Sequence, residues 1–186
     1  MIKYWFKNQI EGKIMKILFF SDTHGIIDNI NAIIPHLKSS DHIVILGDIF
    51  RCGGDRRINH NYNPTQLLSI LKPYQNKIIA IEGNTDYKDE PFELNLLTTM
   101  NIDGHQLFLT HGHYYQLSDI PQIKSGDVYI FGHTHQPIIK KEAGIICLNP
   151  GSLSLPKNDI ASFMIYENKE FVIYDIKNYV IAKIKL

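Results

Sequence analysis

The chain has 186 residues, 44% of them apolar and 20% charged, with 19 basic side chains balanced by 19 acidic ones. This length suits a single domain with its own core, and the zero net charge carries no nucleic-acid-binding signature and gives no hint of an acidic-membrane partner. Cys52 and Cys147 form no CxxC pair, which argues against a disulfide framework or a structural zinc knuckle.

No apolar run approaches the roughly 20 residues that span a bilayer, and the start lacks the apolar core of a signal peptide. A reduced cytoplasmic setting is therefore expected. Residues 1–14, "MIKYWFKNQIEGKI", precede the first convincing strand. Glu11-Gly12 can be encoded as GAAGGA, which resembles a bacterial ribosome-binding sequence. The expectation is that translation starts at Met15 and that 15–186 is a single domain. The alternative is a genuine tail packed through Tyr4, Trp5 and Phe6.

Short runs rich in β-branched and aromatic residues then predict strands at Lys16–Phe20, Ile43–Leu46, Ile78–Ile81, Gln106–Thr110 and Val128–Phe131. Between the first two, Ile30, Ile33, Ile34 and Leu37 have the spacing of a core-facing helix over 28–39, which Pro35 should shorten or kink. A second helix is predicted over 63–75, with Asn63 as N-cap, Pro64 at the first helical position and a stop near Pro73. From about Leu94 strands dominate, and Glu167-Asn168-Lys169 reads as a hairpin turn. The apolar residues after Ala161 either complete a sandwich or form an interface, so a homo-oligomer stays open. The fold expected is α/β, two sheets packed face to face with helices outside.

The polar residues gather where those strands end. "SDTHG" gives Asp22 and His24, "LGDIF" gives Asp48, and "EGNTD" gives Asn84 and Asp86; "LTHGH" gives His111 and His113, and "FGHTH" gives His133 and His135. Each motif alone reads as well as a helix cap or a turn. Five successive strand ends, each with a metal-capable side chain beside a glycine, point instead to one shared site. Asp22, His24, Asp48, Asn84, His111, His133 and His135 are too many for one tetrahedral ion and include no thiolate. Carboxylate, imidazole and amide oxygen together suit Mn, Fe, Co, Ni or Zn. Two ions sharing a carboxylate would use all seven ligands.

This ordered set, with "LTHGHYY", "FGHTHQP" and "LNPGSLSLPK", resembles the calcineurin-like metallophosphoesterases, and in detail the small bacterial YfcE-type phosphodiesterases, from about Met15 to the C-terminus. The resemblance implies a four-layer α-β-β-α double β-sandwich. It implies that Asp22, His24 and His135 hold one metal, that Asn84, His111 and His133 hold the other, and that Asp48 bridges. Asp48, Asn84 and His111 are the residues it marks as catalytic. Mn²⁺ is the usual activating ion in such relatives. The implied reaction is hydrolysis of a small phosphoester by a hydroxide bridging the two cations, without a covalent intermediate.

One position departs from the wider superfamily. Many members carry histidine after the metal-binding asparagine, where it can protonate the leaving group; here it is Thr85, a poor acid at neutral pH. YfcE-type relatives also lack that histidine. Better activity on aryl than on alkyl phosphodiesters is expected. His113 reads either as a substrate-facing acid or as a half-buried structural residue, Arg51 as a phosphate contact or a loop arginine, and Asp86 as an orienting partner or a turn residue. His36, His42, His60 and His105 are assigned no chemistry, and the polar segment 50–64 either shapes access or merely connects. The rival functions are a phosphomonoesterase or nucleotide pyrophosphatase on the same centre, and a protein-binding scaffold of the retromer-subunit type.

Overall fold

Strand β2 (Ile17–Phe20) is buried along its whole length, and that decides what must surround it. Successive strand residues point to opposite faces. Ile17 and Phe19 therefore pack one way and Leu18 and Phe20 the other, and both faces of their sheet need cover. The computed structural model, which describes residues 3–5, 15–52, 61–87, 89–120 and 122–186, shows where that cover comes from.

Beside β2 lie, in parallel, β3 (His42–Ile45), β4 (Ile78–Ile81) and the short β5 (Leu94–Asn95). On its other side β11 (Ser162–Glu167), β12 (Glu170–Asp175) and β13 (Val180–Lys185) continue the sheet antiparallel, giving the order β13-β12-β11-β2-β3-β4-β5. The hairpin between β11 and β12 turns through Asn168 and Lys169, both with positive φ, as a two-residue type I′ connection requires. The apolar residues after Ala161 thus complete the sandwich: Met164, Tyr166, Phe171 and Ile173 all lie in its core.

The second sheet holds β1 (Lys3–Trp5), β6 (Leu97–Ile102), β7 (His105–Thr110), β8 (Val128–Ile130), β9 (Pro137–Glu142) and β10 (Ile145–Pro150), in the order β1-β6-β7-β8-β10-β9. Of the expected N-terminal extension, Lys3–Trp5 forms the edge strand β1, parallel to β6; residues 6–14 lie outside the described residues. Ile17, Phe19, Val44 and Ile81 of one sheet meet Met100, Leu107, Leu109, Val128, Ile130 and Leu148 of the other in the central core.

Helices α1 (Ile30–Ser39) and α2 (Pro64–Leu71) cover the outer face of the first sheet through Ile30, Ile33, Leu37, Leu67 and Leu71. Helix α1 runs on past Pro35 to Ser39. Helix α2 begins as expected, with the Asn63 side chain accepting the Gln66 N–H at 2.9 Å, and passes into a 3-10 turn over Lys72–Lys77. Over the outer face of the second sheet lie Tyr115, Leu117, Ile120 and Ile123, from a segment whose one regular element is the 3-10 turn Leu117–Asp119. This is the two-sheet α/β sandwich expected. Among the described residues no helix is long and apolar enough to cross a membrane. Cys52 and Cys147 are buried thiols.

Candidate metal centre

The parallel strands β2, β3 and β4 release their chains at one rim, and the ladder between them continues into the loops beyond. The Asp22 N–H donates to the Gly47 carbonyl, His24 N–H to Asp48 and Gly25 N–H to Ile49, at 3.1, 2.8 and 2.8 Å. In the second sheet the Gly132 N–H donates to the His111 carbonyl at 3.1 Å. Loops far apart in sequence are thereby fastened in pairs before any ligand geometry is considered.

Five of the seven candidates, Asp22, His24, Asp48, His133 and His135, have left-handed backbone, with φ between 49° and 63°. Each such non-glycine residue costs about 1 kcal/mol, and strain of this kind collects at functional sites. Two neighbouring glycines are dictated by space. A Cβ on Gly47 would stand 2.5 Å from His111 Nδ1, and one on Gly83 would stand 2.2 Å from Asp48 Oδ1.

The side chains converge in two overlapping clusters, Asp22–His24–His135 and Asp22–Asp48–His111, with the possible ligand atoms of each within 4.8 Å of one another. His135 Nε2 lies 3.2 Å from Asp22 Oδ1, and the Nε2 atoms of His24 and His111 lie 3.9 and 4.0 Å from it. Asp48 Oδ2 stands between the groups, 3.7 Å from His24 Nε2 and 3.5 Å from His111 Nε2. Asn84 Oδ1 is 3.2 Å from His111 Nε2. The His133 ring centroid is 5.1 Å from that of His111, and its backbone N–H donates to Asp22 Oδ2 at 3.1 Å. The structure brings all seven expected residues to one place.

The outward nitrogens of three imidazoles are committed. Nδ1 of His24 faces the Arg51 carbonyl at 2.8 Å, that of His111 the Leu46 carbonyl at 2.5 Å, and that of His135 the Leu155 carbonyl at 2.6 Å. A carbonyl only accepts, so Nδ1 carries the hydrogen and the neutral ring turns its Nε2 lone pair inward. The lone pairs meet one another, with His24 and His135 Nε2 only 3.4 Å apart, and they meet Asp22 Oδ1, a fully buried oxygen without a hydrogen-bond partner. Acceptors gathered around an orphaned carboxylate oxygen repel unless a proton or a cation lies among them. Imidazole nitrogens, carboxylates and an amide oxygen form the donor set of a divalent transition metal, so the residues fit the ions that the resemblance implies.

Protonation in the metal-free protein follows from the same crowding. Burial alone would lower the pKa of His111, but Asp48 and Asp22 beside it raise it above the ordinary 6.5. His135 is likewise raised by Asp22 against the effect of burial. Burial would raise Asp48, yet His111, His24 and the Thr85 N–H hold it well below the carboxylate range. His133 and His113 are lowered, first by burial and then by His111.

Three supporting residues surround these groups, and of them the sequence singles out only Asp86, as an orienting partner or a turn residue. Asp86 accepts three backbone N–H groups, those of Asp48 at 2.7 Å, Ile49 at 2.9 Å and Gly83 at 2.9 Å, and so ties the Asp48 loop to the Asn84 loop. Asn149 donates to the Gly132 carbonyl at 2.6 Å and to Thr134 Oγ1 at 3.0 Å, under the His133–His135 loop. Ser152 donates to the Asp22 carbonyl at 2.9 Å. Both lie in "LNPGSLSLPK", where motif reading had no ligand to assign.

The secondary candidates resolve differently. Thr85 donates its hydroxyl to the Arg51 carbonyl at 3.0 Å and its N–H to Asp48 Oδ1 at 2.9 Å. The Arg51 guanidinium is held by Glu90 at 2.8 Å and Asp89 at 3.2 Å and lies 4.4 Å over the Tyr87 ring. That leaves the loop-arginine reading of Arg51, whose carbonyl rather than side chain reaches the site. The His113 ring is 5.2 Å from that of His111, and its buried Nδ1 has no partner. His36 packs on Phe163 and His105 bonds the Gly126 carbonyl. Of the segment 50–64, residues 53–60 lie outside the described residues, His60 among them.

The sequence matches the calcineurin-like phosphoesterase superfamily domain over residues 15–170. It is 32% identical over 162 residues to the phosphodiesterase YfcE of Escherichia coli, covering 83% of this chain and 88% of that protein. A phosphodiesterase of Methanocaldococcus jannaschii is 29% identical over 153 residues, 74% of this chain and 83% of the relative. The solved structure of YfcE, described as a phosphoesterase from E. coli, superposes with a TM-score of 0.85 at 28% identity, over 92% of this chain and 99% of that one. Vacuolar Protein Sorting 29 of Cryptosporidium parvum superposes with a TM-score of 0.64 at 17% identity, over 93% and 99% of the two chains, a likeness of fold alone.

Proposed function

The chain belongs to the calcineurin-like phosphoesterase superfamily, and from that premise we propose that it is a phosphodiesterase working through two divalent cations. Asp22, His24 and His135 hold one ion, Asn84, His111 and His133 the other, and Asp48 bridges them; the activating ion is Mn²⁺. The observation that carries the reading is the meeting of three fixed imidazole lone pairs with the unpartnered Asp22 Oδ1. When bound, such a pair of ions supplies positive charge to the phosphoryl oxygens and acidifies water to a hydroxide nucleophile near neutral pH.

The protein's own part is orientation. The carbonyls of Arg51, Leu46 and Leu155 fix the tautomers of His24, His111 and His135. The Thr85 N–H occupies Asp48 Oδ1, leaving Oδ2 to face both histidine groups. Asp86 keeps that loop in register with Gly83, next to Asn84. Asn84 and His133 are solvent-exposed, so substrate enters from their side. Thr85 spends its hydroxyl proton on the Arg51 carbonyl and gives none to a leaving group. Rates should therefore fall steeply as leaving-group pKa rises, and aryl diesters should react faster than alkyl ones. The reduced cytoplasm belongs to the same proposal, in keeping with two buried thiols.

The decisive assay is a chromogenic bis-aryl phosphodiester with and without added Mn²⁺. Turnover that requires the metal and exceeds that on the corresponding monoester supports the reading. No turnover with Mn, Co, Ni, Zn or Fe would overturn it and favour a scaffold. A rate independent of leaving-group pKa would overturn the assignment at Thr85.

A further inference from the structure

We infer that Tyr87 and Tyr114 are stacking platforms for the planar aromatic substituents of the diester, so that the site selects phosphodiesters bearing aryl or nucleobase groups; this rests on the phosphodiesterase reading above. Among the described side chains four tyrosines are exposed: Tyr62 at 40%, Tyr87 at 60%, Tyr114 at 65% and Tyr179 at 71%. Single exposed aromatics are ordinary. Here three of the four stand on or against the loops that carry the metal ligands.

Tyr62 packs its ring on Gly25, next to His24, and donates its hydroxyl to the Phe50 carbonyl at 3.3 Å, so it is already used. The other two present rings that a ligand can cover. Tyr87 lies three residues after Asn84 and is steadied by the Arg51 guanidinium 4.4 Å from its ring centroid. Tyr114 lies three residues after His111, with its ring 4.2 Å from that of His113. The His113 ring in turn lies 5.2 Å from His111 and 6.2 Å from His133, so a run of rings leads from Tyr114 to the ligands. A ring steadied by one neighbour and open to solvent stacks a planar group with little entropy left to lose.

The placement also fits a diester better than a monoester. Tyr87 stands on the loop after β4 of the seven-stranded sheet, and Tyr114 follows β7 of the six-stranded one. The two platforms thus come from loops of different sheets around one centre. A phosphodiester has an organic group for each, whereas a monoester has only one.

The test keeps the leaving group constant. The Mn²⁺-loaded full chain is assayed on 4-nitrophenyl phosphodiesters whose second substituent is methyl, phenyl or thymidyl, all releasing 4-nitrophenolate. Of Tyr114→Ala and Tyr87→Ala, the variant that removes the platform under the second substituent should lower the phenyl-to-methyl ratio of kcat/KM about tenfold, mainly through KM, and the one that removes the platform under the constant 4-nitrophenyl group should lower kcat/KM on all three substrates alike. Tyr114→Phe should keep the ratio, and Tyr179→Ala, in the turn before β13, should leave it unchanged. A parallel fall in the thymidyl-to-methyl ratio assigns the platforms to nucleobases as well as plain aryl groups; a fall for phenyl alone assigns them to aryl groups. Ratios unmoved in both alanine variants would overturn the inference while leaving the phosphodiesterase standing. No hydrolysis of any of the three, the methyl ester included, removes the phosphodiesterase reading and this inference with it.

Discussion

The two halves of the proposed metal centre are built to different standards of enclosure. Asp22, His24 and His135 are buried, at 0%, 5% and 9% exposure, while Asn84 and His133 in the other half are exposed and only His111 is buried there. The inner half is also the better braced, with two of its imidazoles fixed by carbonyls and Asp22 held through Ser152. The difference suggests a division of labour between a site that holds its ion firmly and one that opens to water, substrate and exchange. A buried ligand set without its cation is expensive to keep, whereas exposed ligands are solvated by water in the interval.

The largest effect should come from the residue that joins the halves. Asp48→Asn takes away a carboxylate charge that faces both histidine groups and should lower kcat on an aryl diester by about 10³-fold or more at saturating Mn²⁺. A loss under tenfold would mean that Asp48 bridges nothing. The halves themselves are separated by His135→Ala and His133→Ala, compared by elemental analysis after dialysis. The first should strip the inner ion and leave no activity that added Mn²⁺ restores. The second should retain one ion per chain, with activity down about 10–100-fold and rising with excess Mn²⁺. Equal metal loss in both variants would erase the distinction.

Asp86→Asn should act on both halves at once by weakening the tie between their loops. Each lost hydrogen bond to a buried carboxylate is worth about 1.5–3 kcal/mol. We therefore expect stability lower by about 2–3 kcal/mol in urea melts and kcat lower by about tenfold. Unchanged stability would show that the three backbone bonds are replaceable.

The smallest effect is a dependence on pH. His111 and His135 are raised above 6.5 in the metal-free protein. Their contribution to its stability is complete below 6.5 and disappears as pH rises through the elevated values. An ion must displace these protons, so metal uptake should release protons and tighten with rising pH across that window. Calorimetry of Mn²⁺ binding in buffers of different ionisation enthalpy reads the release. Uptake with no proton released at pH 6.5 would contradict the elevated values.

Much of this site could be read before any coordinates. The seven candidate ligands announced themselves because metal-capable residues recur after strand after strand, a pattern that turns and caps do not produce. Helix α2 declared its own start through Asn63 and Pro64, since capping is local chemistry. Other features were not legible because their partners are remote. Ser152 bonds a carbonyl 130 residues away, and Asn149 one 17 residues away. Asp86 reads equally as an orienting partner or a turn aspartate until the β3 loop is laid over it. Strand β9, half-exposed and ending "KKE", lacks the apolar run that marked strands such as β2, β3 and β4.

Local chemistry written along the chain therefore determined which atoms can bind a cation, where strands and helices start, and that a buried two-sheet core must form. Only the tertiary structure decided that Asp22 Oδ1 has no partner, that three imidazoles turn their lone pairs inward, and that one half of the centre lies buried while the other meets solvent. The reason is that tautomer, desolvation and orphaned polar atoms are properties of what stands opposite a group. What stands opposite is fixed by the packing of strands that are distant in sequence.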